Sequence, residues 1–503
     1  MLVRFQPCLA AVLLAAGAPA FAADNPSAPD KPVAAPTADK SIELPPFPAD
    51  RTVRQTAVIG GRTIAYDATV GSLQVRDAKG KAIGEIVYTS YVVPGGDPGR
   101  PVTFAFNGGP GASSVYLNLG AIGPKRVQLG AAGDSPSDPA VASDNPNSWL
   151  DFTDMVFIDP VGTGFSRSLV DDERSKKEFY STEADIKYLS RIVYDWLVRA
   201  GRLRSPKYVI GESYGGYRAP RIAYELQTQL GVGVKGLVMV SPYLDPAATG
   251  DGTALSPLPW MINLPSMAAA NFERQGKLGT GAMAEVEAYA RGEFVIDLLK
   301  GPKDQAATQR LVQRVSAYTG LDPALVAKLD GRVDTATFLR ESHRTDRQIG
   351  SVYDSNVTAW DPFPSAAQRR SGDPILDALI APTTSAIVDF ITRVAGWKIE
   401  ARYNALSYAV NNAWDRGDNT DSPVTDLRRA IANDPHMGVM IAHGYDDLSC
   451  PFFGSRLIVD QMPAFGQAER IKLHVYPGGH MFYSRSQSAA SFKNDARALY
   501  QQN

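Results

Sequence analysis

Three patterns in this 503-residue sequence predict an α/β protein with a mostly parallel central sheet. Short apolar runs typical of buried strands recur along the chain, and helical patterns, for example at 183–199 and 220–230, separate several of them. Residues 51–106 are rich in β-branched and aromatic side chains, which predicts antiparallel strands before the parallel ones. The predicted strands are 63–70, 72–76, 85–93, 102–106, 155–158, 208–210, 237–240, 439–442 and 471–475.

The composition is that of an ordinary globular protein. Hydrophobic residues make up 44% of the chain and charged residues 21%, with a formal net charge of -2. These values exclude a disordered chain and a polybasic nucleic-acid binder. The length allows one large domain or two. Because Cys8 and Cys450 are the only cysteines, a scaffold built on disulfides is excluded as well.

Residues 1–22 have the layout of a secretory signal peptide. Arg4 gives a positive start, an apolar stretch follows at 9–17, and Ala20 and Ala22 supply the small residues of a cleavage site. A membrane anchor is the alternative, but the apolar run is shorter than the ~20 residues that a span needs. We expect a secreted or periplasmic protein without a membrane span after cleavage, which would keep Cys450 as its one thiol.

The rest of the chain divides into four parts. Residues 23–50, rich in proline and alanine, predict an extended tether or surface strap. Residues 51–244 and 401–503 carry the strand and helix patterns and predict two parts of one core. Residues 245–400 are mostly helical in pattern, which predicts a helical cap inserted over one end of the sheet.

A G-x-S-x-G sequence, Gly211-Glu-Ser-Tyr-Gly215, lies between the predicted strand 208–210 and a helical stretch. A nucleophilic serine needs this order of strand, tight turn and helix, because the glycines leave room for a strained turn that exposes the Ser213 hydroxyl. The five residues alone are a weak signal in a chain of this length. An ordinary glycine-rich turn is the alternative.

Two further strand ends carry carboxylates and an imidazole. Asp446 and Asp447 follow the strand 439–442, and His480 follows the strand 471–475 in a glycine-rich loop. A serine hydroxyl needs an imidazole to take its proton and a carboxylate to orient that imidazole. Of the five histidines, His480 has the position of a general base, at a strand's carboxyl end and after both serine and acid. These residues alone leave the choice between the two aspartates open.

A fourth strand end carries Asn107-Gly-Gly-Pro-Gly111. Consecutive glycines expose backbone N–H groups that can face a developing oxyanion, although a tight turn or a phosphate-binding nest is the alternative. No Walker lysine follows these glycines, and the sequence contains neither HExxH nor CxxC. We therefore expect no nucleotide, no cofactor and no metal ion.

Five motifs in order, between residues 101 and 483, together resemble the serine carboxypeptidase family. They are Asn107-Gly-Gly-Pro-Gly-Ala-Ser-Ser114, Asn145-Pro-Asn-Ser-Trp149, Phe157-Ile-Asp-Pro-Val-Gly-Thr-Gly-Phe-Ser166, Gly211-Glu-Ser-Tyr-Gly-Gly216 and Gly479-His-Met481. The resemblance implies an α/β-hydrolase fold with the helical cap at 245–400. It also implies Ser213 as the nucleophile and His480 as the base.

The same resemblance implies the other site residues. The family's acid stands three residues after a glycine and often three before a cysteine, which fits Asp447 between Gly444 and Cys450. The oxyanion hole would be the N–H groups of Gly109 and Tyr214. The terminal carboxylate of the substrate would be bound by the residues at three positions, namely Asn107, Gly108 and Glu212. Glu212 would be protonated when it holds that carboxylate.

Several positions depart from the eukaryotic pattern and look more like the secreted bacterial branch of the family. Ala112 stands where those members have a disulfide cysteine, and Ala105 where they have a tryptophan. Ala121 stands where many have a second glutamate in the carboxylate site. Cys450 is either a thiol lining the pocket, as in some members, or a small buried hydrophobic residue.

We therefore predict a serine-type carboxypeptidase that releases C-terminal amino acids from peptides through an acyl-enzyme on Ser213. A serine esterase or acyltransferase of the same fold, acting on small molecules, is the alternative. A binding protein that has lost catalysis is a third possibility. The expected partners are peptides with a free C-terminus and not nucleic acid, and both a monomer and a homodimer remain open.

Overall fold

The computed structural model describes residues 44–502, except 96, 98, 128–136, 138–139, 245–255, 368–371, 418–421 and 467–468. The predicted signal peptide, at 1–22, and residues 23–43 of the predicted tether lie outside the described residues. Residues 44–50, the last part of that tether, have no regular secondary structure. They contact the body of the protein, since the Phe47 and Trp397 rings lie 5.3 Å apart and the Tyr88 hydroxyl donates to Asp50 Oδ2 at 2.9 Å.

The centre of the described part is a ten-stranded sheet. The strands, numbered along the chain, are β1 (Arg51–Ile59), β2 (Arg62–Arg76), β3 (Ala82–Val92), β4 (Val102–Phe106), β5 (Lys125–Arg126), β6 (Ser143–Asp144), β7 (Asp154–Ile158), β8 (Arg167–Ser168), β9 (Lys207–Glu212), β10 (Gly236–Val240), β11 (Gln348–Gly350), β12 (Thr358–Trp360), β13 (Gly438–Gly444) and β14 (Ile471–Tyr476). The order in the sheet is β1-β2-β3-β7-β4-β9-β10-β13-β14, with β8 paired to β3. Two separate small sheets are formed by β5 with β6 and by β11 with β12.

Strand direction divides this sheet into two parts. Six neighbouring strands pair in parallel, in the order β7-β4-β9-β10-β13-β14. The pairs β1–β2, β2–β3, β3–β7 and β3–β8 are antiparallel. The prediction of a mostly parallel sheet with antiparallel N-terminal strands is therefore confirmed.

Helices pack on both faces of this sheet. The α-helices of the described residues are α1 (Asp172–Phe179), α2 (Thr182–Arg199), α3 (Tyr214–Thr228), α4 (Leu258–Arg274), α5 (Thr280–Tyr289), α6 (Val295–Lys300), α7 (Gln305–Thr319), α8 (Pro323–Lys328), α9 (Thr335–Glu341), α10 (Pro374–Asp389), α11 (Tyr408–Ala413), α12 (Pro423–Asn433), α13 (Phe452–Asp460) and α14 (Ser486–Gln501). Polar side chains cap several of their starts, as where the Ser181 hydroxyl accepts the Ala184 N–H at the beginning of α2.

Side-chain alternation along the central strands builds a hydrophobic core on each face. In β9, Tyr208 and Ile210 belong to one buried cluster and Val209 to the other. The first cluster includes residues of α10 and α14, and the second includes residues of α2, α3 and α12. Apolar contact on both faces explains why the parallel strands read as continuous apolar runs.

Two boundaries differ from those expected from the sequence. The predicted strands 63–70 and 72–76 are one strand, β2, and Gly71 between them is a place of close approach instead of a turn. A Cβ at Gly71 would lie 2.5 Å from the Asp50 carboxyl carbon, whose Oδ1 accepts the Ser72 N–H at 3.2 Å. The second difference is in α3, for which the sequence predicted a helical pattern at 220–230. This helix begins at Tyr214, directly after Ser213, and continues through Pro220 to Thr228.

The predicted insertion at 245–400 begins in 245–255, outside the described residues. Its described part contains α4 to α10 and the small sheet of β11 and β12. Met261 and Ile262 of α4 pack with Phe452 and Phe453 of α13. Among the described residues, the helical stretch Pro374–Val394 is long and apolar enough to cross a membrane by length and composition, a test that core helices also pass.

Candidate active site

Four loops that follow parallel strands meet at one end of the sheet. Asn107 follows β4, Ser213 follows β9, Asp447 follows β13 and His480 follows β14. Ligand sites of open parallel sheets lie at this carboxyl end. A cavity of about 430 Å³ opens there. Its lining includes seven of the predicted site residues, which are Asn107, Gly108, Gly109, Glu212, Ser213, Tyr214 and His480.

Ser213 occupies a sharp turn between β9 and α3. Its φ of 60° and ψ of -120° are unusual for a residue with a side chain. Gly211 makes this turn possible, because a Cβ there would lie 1.9 Å from the Gly215 carbonyl oxygen. The resulting geometry, strand then strained serine then helix, is that of a nucleophile elbow.

Asp447 and His480 form a buried hydrogen-bonded pair. His480 Nδ1 lies 2.8 Å from Asp447 Oδ2. The other carboxylate oxygen, Oδ1, accepts the N–H groups of Ser449 at 2.8 Å and Cys450 at 2.9 Å. Burial lowers the pKa of His480, but the charges of Asp447 and Glu212 raise it more, so that the pKa lies above its ordinary value.

Asp446 points away from His480 and toward a separate group of charges. Its Oδ2 lies 3.5 Å from Arg485 Nη2 and accepts a hydrogen bond from Asn356 Nδ2 at 3.3 Å. Of the two aspartates that the residues alone left open, Asp447 is therefore the one in contact with His480. Three other histidines contact other groups through their rings: His343 Nε2 lies 2.9 Å from the Ser355 carbonyl oxygen, His443 Nε2 2.8 Å from Ser455 Oγ and His474 Nδ1 3.3 Å from Asp495 Oδ2.

The loop of Gly108 and Gly109 lies against the N-terminus of α3. A Cβ at Gly108 would lie 2.5 Å from the Tyr214 nitrogen, so only glycine fits there. Tyr214 is the first residue of α3, where backbone N–H groups have no acceptor within the helix and the helix dipole is positive. The N–H groups of Gly109 and Tyr214 thus belong to neighbouring segments that line the same cavity.

Glu212 is buried beside Ser213 and accepts hydrogen bonds from two side chains. Asn107 Nδ2 donates to its Oε2 at 2.7 Å, and the Tyr483 hydroxyl lies 2.9 Å from both carboxylate oxygens. The Asn107 amide has a fixed orientation, because its Oδ1 accepts the Leu117 N–H at 2.9 Å. Burial raises the pKa of Glu212, and these hydrogen bonds and the charge of His480 lower it by less. The pKa of Glu212 therefore lies above its ordinary value.

The sequence prediction missed several residues of this site. Tyr483 gave no signal, although it stands only three residues after His480. Tyr353 and Asp354 come from the predicted insertion, yet the Tyr353 ring packs edge-on to His480 with centroids 5.2 Å apart. The Tyr353 carbonyl accepts the His480 N–H at 2.5 Å, and Asp354 Oδ2 accepts the Gly479 N–H at 3.0 Å.

Cys450 is both buried and part of the cavity lining. Burial raises the pKa of its thiol well above the ordinary value, while a hydrogen bond with the Ser213 side chain lowers it by less. The two descriptions considered for this residue, a pocket thiol and a small buried side chain, therefore apply together.

The strand order, the serine elbow and the Asp447–His480 pair define an α/β-hydrolase, as the sequence predicted. Residues 84–277 match the family model described as serine carboxypeptidase. The chain is similar to solved chains of this architecture. Kex1(Δ)p, a prohormone-processing carboxypeptidase from Saccharomyces cerevisiae, superimposes with a TM-score of 0.56 at 16% identity, covering 86% of this chain and 91% of that one. At this identity the likeness shows the shared fold.

Curated relatives are similar in sequence over shorter stretches. Pheromone-processing carboxypeptidase KEX1 of Yarrowia lipolytica is 33% identical over 150 residues, which cover 29% of this chain and 22% of that protein. Serine carboxypeptidase S10 family member 1 of Dictyostelium discoideum is 29% identical over 189 residues, 36% of this chain and 42% of that protein. The matches thus span less than half the length of these relatives. The resemblance to serine carboxypeptidases is supported over the matched segment, and these two relatives are eukaryotic.

Proposed function

We propose that this protein is a serine-type carboxypeptidase that removes C-terminal amino acids from peptides. The observation that carries the proposal is that Ser213 lines one cavity together with members of two buried groups. One is the Asp447–His480 pair, suited to proton transfer, and the other is Glu212 with Asn107, suited to a substrate carboxylate. A carboxylate one residue beyond the scissile bond must lie close to the nucleophile, since adjacent Cα atoms are only ~3.8 Å apart.

In the proposed reaction, Ser213 Oγ attacks the last peptide carbonyl and its proton passes to His480 Nε2. Asp447 holds the proton on Nδ1, so Nε2 is free to act as the base. The N–H groups of Gly109 and Tyr214 stabilise the negative charge on the carbonyl oxygen, a contribution of about 10²- to 10³-fold in rate for one such donor. The C–N bond breaks as His480 returns the proton to the leaving amine. Water then hydrolyses the Ser213 ester by the same route.

Recognition of the C-terminal carboxylate requires a proton on Glu212, because two ionised carboxylates in contact repel each other. Catalysis requires His480 to be neutral. In the active form, Glu212 is therefore protonated and His480 is neutral, so the coupled pair carries one proton in total. Activity on peptide acids should fall at low pH, where both groups are protonated, and at high pH, where neither is.

The test compares a blocked dipeptide with its C-terminally amidated twin across pH. We expect kcat/KM to be much higher for the free acid, with a bell-shaped pH profile, and the preference to disappear at high pH as Glu212 loses its proton. Ser213→Ala is the control for contaminating activity, and a fluorophosphonate should label the wild type only. Equal cleavage of acid and amide would contradict the proposal and favour the esterase or acyltransferase alternative.

We also propose that the chain belongs to the secreted bacterial branch of the family and is exported to a periplasmic or extracellular compartment. The apolar stretch at 9–17 and the small residues Ala20 and Ala22 support cleavage of a signal peptide. Ala112, at a position where eukaryotic members carry a disulfide cysteine, supports the bacterial branch. Fractionation of expressing cells, with mass measurement of the exported chain, tests this: a full-length product in the cytosol would contradict it.

A further inference from the structure

The Tyr116 hydroxyl is a buried polar group in the cavity wall that has no hydrogen-bond partner within the described part of the chain. Its side chain is almost completely enclosed, with 5% of the residue exposed. A buried hydroxyl normally finds a partner, because leaving it without one forfeits the hydrogen bonds it had in water. Because Tyr116 also lines the cavity, its buried hydroxyl is suited to a ligand atom that accepts a hydrogen bond.

The neighbours of Tyr116 indicate which part of a ligand would accept a hydrogen bond from its hydroxyl. The next residue, Leu117, donates its N–H to Asn107 Oδ1 at 2.9 Å, which ties this turn of the chain to the Asn107–Glu212 pair. The Glu212 carboxyl is close enough for its charge to raise the pKa of Tyr116 further, in addition to the larger effect of burial. The hydroxyl consequently keeps its proton over the ordinary pH range and remains a donor.

The Glu212 side chain cannot supply this donor unaided. Its two oxygens already accept from Asn107 and from Tyr483, whose hydroxyl is 2.9 Å from each. One proton on Glu212 gives at most one hydrogen bond to a ligand, whereas a carboxylate accepts up to four. A bound carboxylate in this place therefore needs further donors, and the Tyr116 hydroxyl, on another residue of the cavity lining, has no partner among the described residues.

We propose that the Tyr116 hydroxyl donates a hydrogen bond to the C-terminal carboxylate of the peptide and thereby contributes to selection of free acids. This inference rests on the proposed carboxypeptidase function. It assigns a part of the carboxylate site to a residue outside the set formed by Asn107, Gly108 and Glu212. A neutral donor is suited to this place, because it binds the anion without adding a charge next to Glu212.

The experiment compares Tyr116→Phe with Tyr66→Phe. Tyr66 is the matched control: its hydroxyl is also buried and unpartnered among the described residues, with 0% exposure, but it lies in β2 and does not line the cavity. Each enzyme is assayed with the blocked dipeptide acid and with its amide. In addition, calorimetry measures binding of the dipeptide acid and its amide to Ser213→Ala, alone and combined with each phenylalanine variant.

We expect Tyr116→Phe to lower kcat/KM for the acid by about 10- to 100-fold, the range for loss of a hydrogen bond to a charged group. Activity on the amide should change by less than about twofold, and the dissociation constant of the acid in the Ser213→Ala background should rise by a similar 10- to 100-fold. Tyr66→Phe should change none of these. Both variants should unfold at the wild-type temperature or above it, because each removes a buried hydroxyl for which the described residues supply no partner.

A Tyr116→Phe enzyme that keeps the wild-type ratio of acid to amide activity would overturn the inference. So would parallel losses on both substrates, which would indicate a general disturbance of the site. If the wild type itself does not distinguish the acid from the amide in either assay, the proposed function fails, and this inference fails with it. The two failures are therefore distinguishable.

Discussion

The two sides of the candidate active site differ in how their buried charges are balanced. On the elbow side, near Asn107 and Ser213, the guanidinium of Arg218 pairs with one carboxylate, that of Asp185. Arg218 Nε lies 2.6 Å from Asp185 Oδ2, and both side chains are completely buried. Arg218 Nη1 also donates to the Asn107 carbonyl at 2.7 Å. All of these residues belong to the core.

On the acid–base side, Arg485 contacts three carboxylates. Arg485 Nη2 lies 2.8 Å from Asp354 Oδ2 and 3.5 Å from Asp446 Oδ2, and its Nη1 contacts Glu273. Glu273 belongs to α4, and Asp354 also belongs to the predicted insertion. Asp446 precedes Asp447, and Asp354 accepts the Gly479 N–H next to His480. The charge group therefore connects the insertion to both loops of the acid–base pair.

The three carboxylates in contact with Arg485 have pKa values shifted in different directions, raised for Asp354 and Asp446 and lowered for Glu273. One oxygen of Asp446 is buried without a donor in the described chain, and burial together with the charge of Asp354 raises the pKa of Asp446 well above its ordinary value. Burial raises the pKa of Glu273, but hydrogen bonds from Asp446 and Arg485 lower it to about 2. These opposite shifts of pKa favour a protonated Asp446 that donates to an ionised Glu273. Burial raises the pKa of Asp185 as well, against the opposing charge of Arg218, so the two groups differ in how many carboxylates contact one arginine.

The largest expected effect comes from breaking the Arg218–Asp185 pair. Arg218→Met leaves the Asp185 carboxylate buried without its cation, which should lower the free energy of unfolding by about 3–5 kcal/mol. It should also weaken activity on peptide acids, since Asn107 loses a hydrogen bond to its backbone. Urea unfolding at pH 7 measures the first effect. The double variant Asp185→Leu with Arg218→Met is the control and should recover most of the stability, because no unpaired charge remains; a single variant as stable as the wild type would refute the assignment.

A smaller and pH-dependent effect is expected for Arg485→Met. The Arg485 side chain is 24% exposed, so in the variant water can partly solvate the carboxylates that it contacts. We therefore expect the free energy of unfolding to fall by about 1–3 kcal/mol at pH 7. Because the folded pKa of Glu273 lies below its unfolded value, its contribution is present above about pH 4.3 and is lost as the pH falls through about 2. The decrease in the free energy of unfolding caused by Arg485→Met should therefore become smaller toward low pH. Urea unfolding of both proteins at pH 3.5 and at pH 7 measures this difference. An equal loss at both values would contradict the charge assignment.

The elbow side and the acid–base side also differ in how far they could be predicted from the sequence. The elbow side is local: the strand pattern before Ser213 and the glycines around it predict both the turn and its position at the sheet edge. The sequence alone could not separate Asp446 from Asp447, because the conformation of the loop decides which of two adjacent side chains faces His480. Asp354 and Arg485 gave no signal either. Their contacts join residues far apart in the chain, 131 positions in the case of this pair, and depend on how the insertion packs.

The smallest effect at neutral pH, and the sharpest test of the charge group around Arg485, is expected for Asp446→Asn. An amide can donate to Glu273 as the protonated acid does but does not titrate. Because the folded pKa of Asp446 is raised, its contribution to stability is complete below about pH 3.9 and is lost as the pH rises through that folded pKa. Asp446→Asn should therefore match the wild type at low pH and gain on it as the pH rises, in unfolding measured from pH 4 to 9. Asp446→Ala, which cannot donate, is the control and should be less stable than Asp446→Asn throughout. A difference between Asp446→Asn and the wild type that does not change with pH would show that the proton is not held at Asp446.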